Sequence, residues 1–395
     1  MQRTFHQLGQ RAAYLLAVGL LVAGCGNLGS TASPPGNGGD LKFGAIVGLS
    51  GVYGPYGAAY NAGMQVAVDR VNAGDGLVIG NKKYTLRLQF ADDRSDAQVA
   101  VTDAISMIND SKINVIVGPL ATEAVSATPV IAQHQAINLS LAAGLFGLLG
   151  PNYPLLFSGL PTNAYRVGAM VTAVHHFYPS AKKVAFLTGK DDGVMAPMTS
   201  GLQTFGVTAG DFTYPRGTTD ISTVATKVVA FQPDIVVIGN SPSEETSDLR
   251  QLDAAGLPKS VACVCYSTEL PSSVGRSQLF PSAYSPVDAG VQSTPEIDAF
   301  KAALQTKLGK ATVSPFDVSI GLAYYFMVEL TAKAMQQAGT TTDVSKIATA
   351  MTQVSLTEFG AKFQWDSAHN IAVPLAMTQI APDGTTTVIQ SAPTS

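Results

Sequence analysis

The chain has 395 residues, with 13% charged and 46% hydrophobic side chains and a formal net charge of −4. A chain of this length can bury the cores of two domains. Globular proteins usually have about 25% charged residues, and this chain has about half of that share, which indicates a well-packed globular protein. The weakly acidic balance, without a basic stripe, argues against a nucleic-acid partner.

The N-terminus predicts an exported lipoprotein. Arg3 and Arg11 flank the start of the apolar run AAYLLAVGLLVAGC, which has signal-peptide length and is too short for a transmembrane helix. The run ends at Cys25 after two small residues and resembles a bacterial lipobox, in which this cysteine takes a lipid and becomes the new N-terminus. An ordinary secretory leader with an incidental cysteine is the alternative. We expect residues 1–24 to be the signal peptide and residues 25–40, rich in Gly, Ser and Pro, to be a lipidated, flexible tether.

After the tether, short apolar runs alternate with amphipathic stretches. The runs include LKFGAIVGL, INVIVGP, KKVAFLTG and PDIVVIG, and helical patterns such as SDAQVAVTDAISMIND and SEETSDLRQLDAAGL lie between them. Apolar runs without alternation are typical of strands covered on both faces. Strand and helix in this rhythm predict doubly wound parallel sheets in an α/β fold. Asp96 is placed to cap one helix and Gly256 to end another.

The rhythm predicts two lobes rather than one. LLFSGLP indicates a strand that leaves the first sheet, and KKVAFLTG then begins the same pattern again. The long apolar helix within SPFDVSIGLAYYFMVELTAKAMQQAG is expected to return to the first lobe. The predicted boundaries are residues 41–162 plus 287–356 for lobe 1 and residues 163–286 plus 357–395 for lobe 2, with crossings near Pro161, Pro286 and Leu356.

The predicted loops at the carboxyl ends of the strands point to a ligand cleft. Open parallel sheets bind ligands beyond these ends, and two facing lobes would direct several such loops into one cleft. The first of these loops carries Tyr53 and Tyr56, whose rings can cover a ligand and whose hydroxyl groups can bond to it. Packing of each tyrosine on its own lobe is the alternative.

The sequence argues against an enzyme and against a bound metal or cofactor. It has no Gly-x-Ser-x-Gly motif and no P-loop, and the adjacent His175 and His176 would point about 100° apart on a helix. Cys263 and Cys265 would point to the same face of a strand, where a bridge between them is geometrically awkward. We expect them to be two small buried hydrophobic side chains.

Several segments, in their order and spacing, resemble one family. They are LKFGAIVGLSGVYGPYGAAYNAGMQVAVDRVNAGDG, FADDRSD, INVIVGPLATEAV, PDIVVIG, LRQLDAAGL and the C-terminal FGAKFQWDSAHNIAVPLAMTQIAPDG. These are similar to the extracytoplasmic solute-binding proteins of branched-chain amino-acid ABC transporters, and the resemblance covers nearly all of the chain from Leu41. It implies a type I periplasmic-binding-protein-like fold, with two lobes joined by three crossings. The lobes would close on a small molecule, without a cofactor, and deliver it to a membrane permease.

The resemblance also implies a ligand site in the first lobe. The aromatic residue of the first loop matches Tyr56, and the hydroxyl group that binds a ligand carboxylate matches Thr122. Thr122 is predicted to open a helix, where free N–H groups and the helix dipole favour an anion. The next loop would contribute backbone groups of Ala142, Ala143 and Gly144.

The second half of the implied site departs from the family. The positions that hold a ligand ammonium with Asp and Glu match Asn163 and Tyr266, and two aromatic positions match Gly193 and Ser241. A buried ammonium without a carboxylate partner is costly, so we expect a small polar or carboxylate-bearing ligand with no obligatory ammonium.

Two other interpretations of the binding role stay open. One is a true branched-chain amino-acid binder, in which a nearby acid such as Glu244, Glu245 or Glu269 replaces the missing carboxylates. The other is a ligand-sensing module that reports to a receptor partner. In each case we expect a monomer, outside the cytoplasm, anchored to the bacterial cell membrane through Cys25.

Overall fold

Two large sheets organise the part of the chain that the computed structural model describes. That part comprises residues 35–74, 76–141, 143, 147–189, 201–204, 206–215, 217–239, 242–265, 275–282, 294–373, 375–383 and 385–391. The strands are β1 (Gly36–Val47), β2 (Leu77–Ile79), β3 (Lys82–Asp92), β4 (Val115–Val117), β5 (Ile137–Ser140), β6 (Leu156–Ser158), β7 (Lys183–Gly189), β8 (Thr208–Tyr214), β9 (Ile235–Ile238), β10 (Ala262–Val264), β11 (Gln278–Ser282), β12 (Leu356–Glu358), β13 (Ala361–Trp365), β14 (Ile371–Ala372), β15 (Leu375–Ile380) and β16 (Thr386–Ser391).

The described helices follow the strands of both sheets. They are α1 (Gly54–Asn72), α2 (Ala97–Asn109), α3 (Ala121–Gln133), α4 (Asn163–Phe177), α5 (Ser222–Phe231), α6 (Pro242–Ala254), α7 (Pro295–Leu308), α8 (Pro315–Ala338) and α9 (Val344–Met351). Among the described residues, none of these helices is both long and apolar enough to cross a membrane.

Both large sheets are mainly parallel, which confirms the predicted α/β class. The first has the strand order β2-β3-β1-β4-β5-β6, and only the β2–β3 pair is antiparallel. The second has the order β16-β15-β11-β10-β9-β7-β8, with antiparallel pairs only where β15 joins β11 and β16. The short central strands β4, β5, β9 and β10 are buried along their whole length, as unbroken apolar runs predict.

Helices cover both faces of each sheet, so the molecule has two lobes. Helices α1, α7, α8 and α9 share one core with the first sheet, while α2 and α3 pack on its other face. In the second sheet, α4 packs on one face and α5 and α6 pack on the other. Among the described residues, this arrangement buries apolar helix faces in cores shared with the sheets, which is the stable solution for an α/β domain.

The predicted helix ends agree with the structure. The Asp96 carboxylate accepts hydrogen bonds from the N–H groups of Gln98 and Val99, at 2.8 and 3.0 Å, and so caps α2. Gly256 has a φ of +93° just after α6, the left-handed conformation that ends helices and favours glycine.

The predicted lobe boundary near Leu356 differs from the structure. Residues 357–395 were assigned to lobe 2, but Phe363 and Trp365 lie in the core of the first lobe. Phe363 stacks on Phe326 of α8, with ring centroids 3.4 Å apart, and the Trp365 indole N–H donates to the Ser158 carbonyl oxygen at 2.8 Å. After α9, the chain therefore stays with the first lobe through β14 and returns to the second sheet only at β15. The crossing predicted near Pro286 lies outside the described residues.

Candidate functional site

The carboxyl end of β1 leads into a short turn and then directly into α1. A 3₁₀ turn spans Gly51–Tyr53, and α1 begins at Gly54. Tyr56 therefore lies in the first turn of a helix, whereas the sequence predicted a loop at this position. A Cβ atom on Gly57 would lie 2.0 Å from the Gly48 carbonyl oxygen, so glycine is what permits this close approach.

Asp92 and Ser95, at the end of β3, hold this turn in place. The Asp92 carboxylate accepts from the Leu49 N–H at 2.8 Å and from the Ser50 hydroxyl at 2.8 Å. Partial burial opposes its ionisation, but hydrogen bonds from Ser50 and neighbouring backbone outweigh burial and lower the pKa of Asp92. The Ser95 hydroxyl accepts from the Tyr53 N–H at 3.1 Å and donates to the Ser50 carbonyl oxygen at 2.9 Å. The turn is thus rigidly tied to the sheet.

Four tyrosines form a continuous row from this turn into the core of the first lobe. Ring centroids lie 5.9 Å apart for Tyr53 and Tyr56, 6.0 Å for Tyr56 and Tyr60, and 4.3 Å for Tyr60 and Tyr324. Tyr53 and Tyr56 are half-buried, and Tyr56 packs against the core of its own lobe, whereas Tyr60 and Tyr324 are fully buried. Tyr60 was not among the predicted site residues, although spacings of three and four residues place it on the same face as Tyr53 and Tyr56.

Thr122 lies at the start of α3, as predicted. The helix begins at Ala121, and the residue before it, Leu120, provides no side-chain capping hydrogen bond. The Thr122 side chain is half-buried, and its hydroxyl donates to the Glu123 carboxylate at 3.4 Å. Helix N–H groups that point along the axis make this end of α3 favourable for an oxygen acceptor.

Two buried carboxyl groups, which the sequence analysis did not single out, lie beside this helix start. Asp93 and Glu123 are only 1% and 2% exposed. Burial raises the pKa of Asp93 to about 6 and the pKa of Glu123 to about 7, and the charge of Asp93 adds to the second shift. Burial and the nearby Asp93 also raise the pKa of the Tyr324 hydroxyl, which has no hydrogen-bond partner among the described residues. Asp93 directly follows β3, and Glu123 lies in the first turn of the helix that follows β4; these positions after strand ends were the signal available in the sequence.

The other predicted site residues are only partly within the described chain. Ala143 is buried just after β5, and its carbonyl oxygen accepts from the Leu148 N–H at 3.0 Å. Asn163 is the first residue of α4. Tyr53, Tyr56, Thr122 and Ala143 therefore follow neighbouring strands of one sheet edge. The predicted positions outside the described residues are Cys25, Ala142, Gly144, Gly193, Ser241 and Tyr266.

The second sheet has its own buried acids near its carboxyl edge. Tyr214, the last residue of β8, donates its hydroxyl hydrogen to Asp248 at 2.7 Å. Burial first, and then the charge of Asp248, raises the pKa of Tyr214. Glu245 and Asp248 on α6 are 0% and 2% exposed, although acids at such positions usually form a solvated face.

The chain matches a family model described as periplasmic binding protein over residues 40–385. Three similar solved structures illustrate the fold. The leucine binding protein LivK of Thermotoga maritima is 18% identical, with a TM-score of 0.74 over 89% of this chain and 99% of that chain. LivJ of Streptococcus pneumoniae, a branched-chain amino acid transporter substrate binding protein solved with isoleucine, is 20% identical, with a TM-score of 0.73 over 89% and 100%.

The third is an ABC transporter solute binding protein of R. palustris solved with benzoate. It is 18% identical, with a TM-score of 0.75 over 90% of this chain and 97% of that chain. The family match covers most of the chain, and the two lobes, their sheets and the neighbouring folds agree with it. The chain belongs to the periplasmic binding protein family, with the type I fold that the sequence resemblance predicted.

Proposed function

We propose that this protein is the extracytoplasmic solute-binding component of an ABC importer. Its two lobes close on a small molecule that bears a carboxylate or another oxygen acceptor, and the closed protein delivers that molecule to a membrane permease. The observation that carries the proposal is the first lobe's sheet edge, where Tyr53 and Tyr56 and the N-terminal turn of α3 at Thr122 follow neighbouring strands. Family membership supports a binding role of this kind.

The residues of this edge favour an acid with an apolar body. The start of α3 suits an oxygen acceptor. The tyrosine rings and Leu49, which is 39% exposed, offer apolar surface beside it. By sequence resemblance, Asn163 and Tyr266 match the positions at which amino-acid binders of the family hold the ligand ammonium with Asp and Glu. With neither acid present, the ligand needs no ammonium. Among the similar structures, the R. palustris protein was solved with benzoate and LivJ with isoleucine, and the first chemistry suits this site better.

A second candidate is a true branched-chain amino-acid binder. Glu245 is a fully buried acid on α6, next to the carboxyl edge of the second sheet, and a carboxylate there suits an ammonium group. The two candidates differ in what they bind, since only the second requires an ammonium on the ligand.

A thermal-shift screen distinguishes the candidates. Benzoate, 4-hydroxybenzoate and short-chain carboxylates are compared with leucine, isoleucine and valine, and the simple acids are expected to stabilise the protein more. A ligand at about 100 times its Kd adds roughly 2.7 kcal/mol, which gives a clear melting shift. Thr122→Ala should weaken a carboxylate ligand, while Thr102→Ala, an exposed position on α2, should not. Micromolar binding of leucine, isoleucine or valine without binding of simple acids would overturn the first candidate.

Membrane anchoring and lobe closure are tested separately. Lipidation of Cys25 predicts that the exported protein partitions into the detergent phase and that Cys25→Ser stays in the aqueous phase; equal partitioning of both would contradict the anchor. Lobe closure predicts a smaller radius of gyration by small-angle scattering once a proven ligand is bound. A neighbouring permease gene would favour the importer over a ligand-sensing module.

A further inference from the structure

The cysteine pair at the end of β10, with Cys263 in the strand and Cys265 one residue beyond it, is not explained by ligand binding. Cys263 and Cys265 are 1% and 0% exposed, and their Sγ atoms lie 2.7 Å apart. The separation equals the shortest N···O distances of N–H···O hydrogen bonds, and two sulfur atoms, which are larger than nitrogen and oxygen, should lie farther apart than that. Two unbonded thiols are therefore compressed against each other, and a sulfur–sulfur bond of about 2.0 Å would relieve the compression.

The backbone around the pair holds the two side chains on one side of the strand. β10 lies between β9 and β11, and Cys263 pairs with Val236 on one side and Gln278 on the other. Two residues of a regular extended strand place both their α-carbons and their parallel Cβ atoms about 6.6 Å apart, which is inside the Cα limit of about 6.8 Å for a disulfide but beyond the Cβ limit of about 4.5 Å. A bridge therefore needs a local bend, and Cys265 lies one residue past Val264, the last residue of β10, where the regular strand has ended. A bridge is awkward in a regular strand, as predicted, but the Sγ separation of 2.7 Å shows that the two side chains converge here instead of running parallel.

We propose that Cys263 and Cys265 form a disulfide across Val264 in the exported protein. Periplasmic binding proteins work in a compartment where disulfides form and persist. Two S–H bonds break and one S–S bond forms, so two protons and two electrons leave the pair. A protein disulfide of the thiol oxidoreductase class accepts the electrons by thiol–disulfide exchange and is itself reduced to two thiols.

The bridge is expected to form during folding rather than afterwards. Exchange needs a thiolate, and burial in the folded protein raises the pKa of Cys265 well above its ordinary value. Both thiols are accessible only before β10 is covered by the helices of the second lobe. Tyr266, a predicted ligand-binding residue, immediately follows Cys265. The bridge would therefore also fix the chain directly before this residue.

Peptide mass spectrometry tests the proposal directly. The full chain is exported in a bacterium, denatured in iodoacetamide without reductant, and digested with trypsin. Cleavage after Lys259 and Arg276 leaves both cysteines in the peptide 260–276, while Cys25 lies in another peptide. We expect this peptide to carry no label and to weigh two hydrogen atoms less than its reduced form. Reductant before the label should give two labels, and two labels without reductant would overturn the proposal.

A single-cysteine variant and a refolding experiment complete the test. Cys263→Ala should give one label on Cys265 with or without reductant. If export is inefficient, the reduced, unfolded chain is refolded with oxidised glutathione as the oxidant, and the peptide should again be unlabelled. Two labelled thiols, or a glutathione adduct on one cysteine with the other thiol labelled, after refolding to the native circular dichroism spectrum would show that the fold does not close the bridge.

Discussion

Replacing Glu123 by glutamine tests the buried carboxyl pair of the first lobe. The substitution keeps the size and polarity of the side chain but removes its titration. Glu123 is 2% exposed and its pKa is raised from 4.5 to about 7, so the folded protein holds a proton that the unfolded chain releases. The protonated Glu123 therefore contributes unfolding free energy that is fully present below its ordinary pKa of 4.5 and is lost as the pH rises through about 7.

The magnitude follows from the shift. One pKa unit corresponds to about 1.4 kcal/mol, so the raised pKa of Glu123 removes up to about 3 kcal/mol of unfolding free energy between pH 5 and pH 8. Asp93, with its pKa raised from 3.8 to about 6, adds a similar loss at somewhat lower pH. The Glu123→Gln variant should therefore lose less unfolding free energy than the parent as the pH rises, because only Asp93 then remains to ionise in the pair.

Denaturant unfolding at several pH values between 5 and 8 measures this difference. The matched control is Glu296→Gln, since Glu296 also lies in the first turn of a helix, α7, but is exposed. The difference in unfolding free energy between the parent and Glu123→Gln should change by about 3 kcal/mol across this range. Because Glu296 is exposed, its substitution should not reproduce this change. Parallel pH profiles for the parent and Glu123→Gln would refute the reasoning.

The same group affects the proposed ligand. Thr122 donates to Glu123, so a carboxylate bound at the start of α3 would lie near a second carboxyl group. If binding requires Glu123 to be protonated, affinity falls by at most about tenfold per pH unit above pH 7. Titration calorimetry should show this decline in the parent and a flat profile in Glu123→Gln, and a flat parent profile would exclude the linkage.

Two further predictions concern the core of the first lobe. A Cβ atom on Gly63 would lie 2.1 Å from the Gly321 carbonyl oxygen, so Gly63→Ala should separate α1 and α8 and lower the unfolding free energy by about 3 kcal/mol or more. The control is Gly168→Ala on α4, where a Cβ atom meets nothing within 4 Å. In urea unfolding this variant should be neutral or slightly stabilised. Trp365→Phe removes the indole donor to the Ser158 carbonyl oxygen and should cost about 1–3 kcal/mol. Because Trp365 is the only tryptophan, its loss is followed by circular dichroism, and an unchanged midpoint would contradict the role of this bond.

Much of the fold could be predicted because its signals are local. An unbroken apolar run such as PDIVVIG is buried on both faces in any parallel sheet, and it forms β9. Asp96 caps α2 through its own neighbours, without help from distant residues. The start of α3 could be predicted for the same reason, because the strand before it ends at Val117 and a helical pattern, with Thr122 in its first turn, begins at Ala121.

The errors arose where distant packing decides the outcome. A strand pattern such as that of β13 fits either lobe, and only the contacts of Phe363 and Trp365 with the first lobe decide the choice. Tyr56 was assigned to a loop because glycines and a proline surround it. Those glycines instead permit a close approach of α1 to the sheet, which a sequence pattern does not reveal.

The first lobe's half of the proposed site is largely built before any ligand arrives. Asp92 and Ser95 fix the turn before α1, and Tyr56 packs against the core, so little ordering is needed there on binding. A preorganised surface loses less entropy on association and therefore sets a general preference, here for an oxygen acceptor beside an aromatic row. Discrimination between ligands then depends on the other half of the proposed site, where Asn163 is expected to lie. We therefore expect Asn163→Asp to change ligand choice more than stability, by weakening an acid and admitting an amino acid. Competition between benzoate and leucine measures this, and an unchanged ratio of affinities would show that specificity resides in the first lobe.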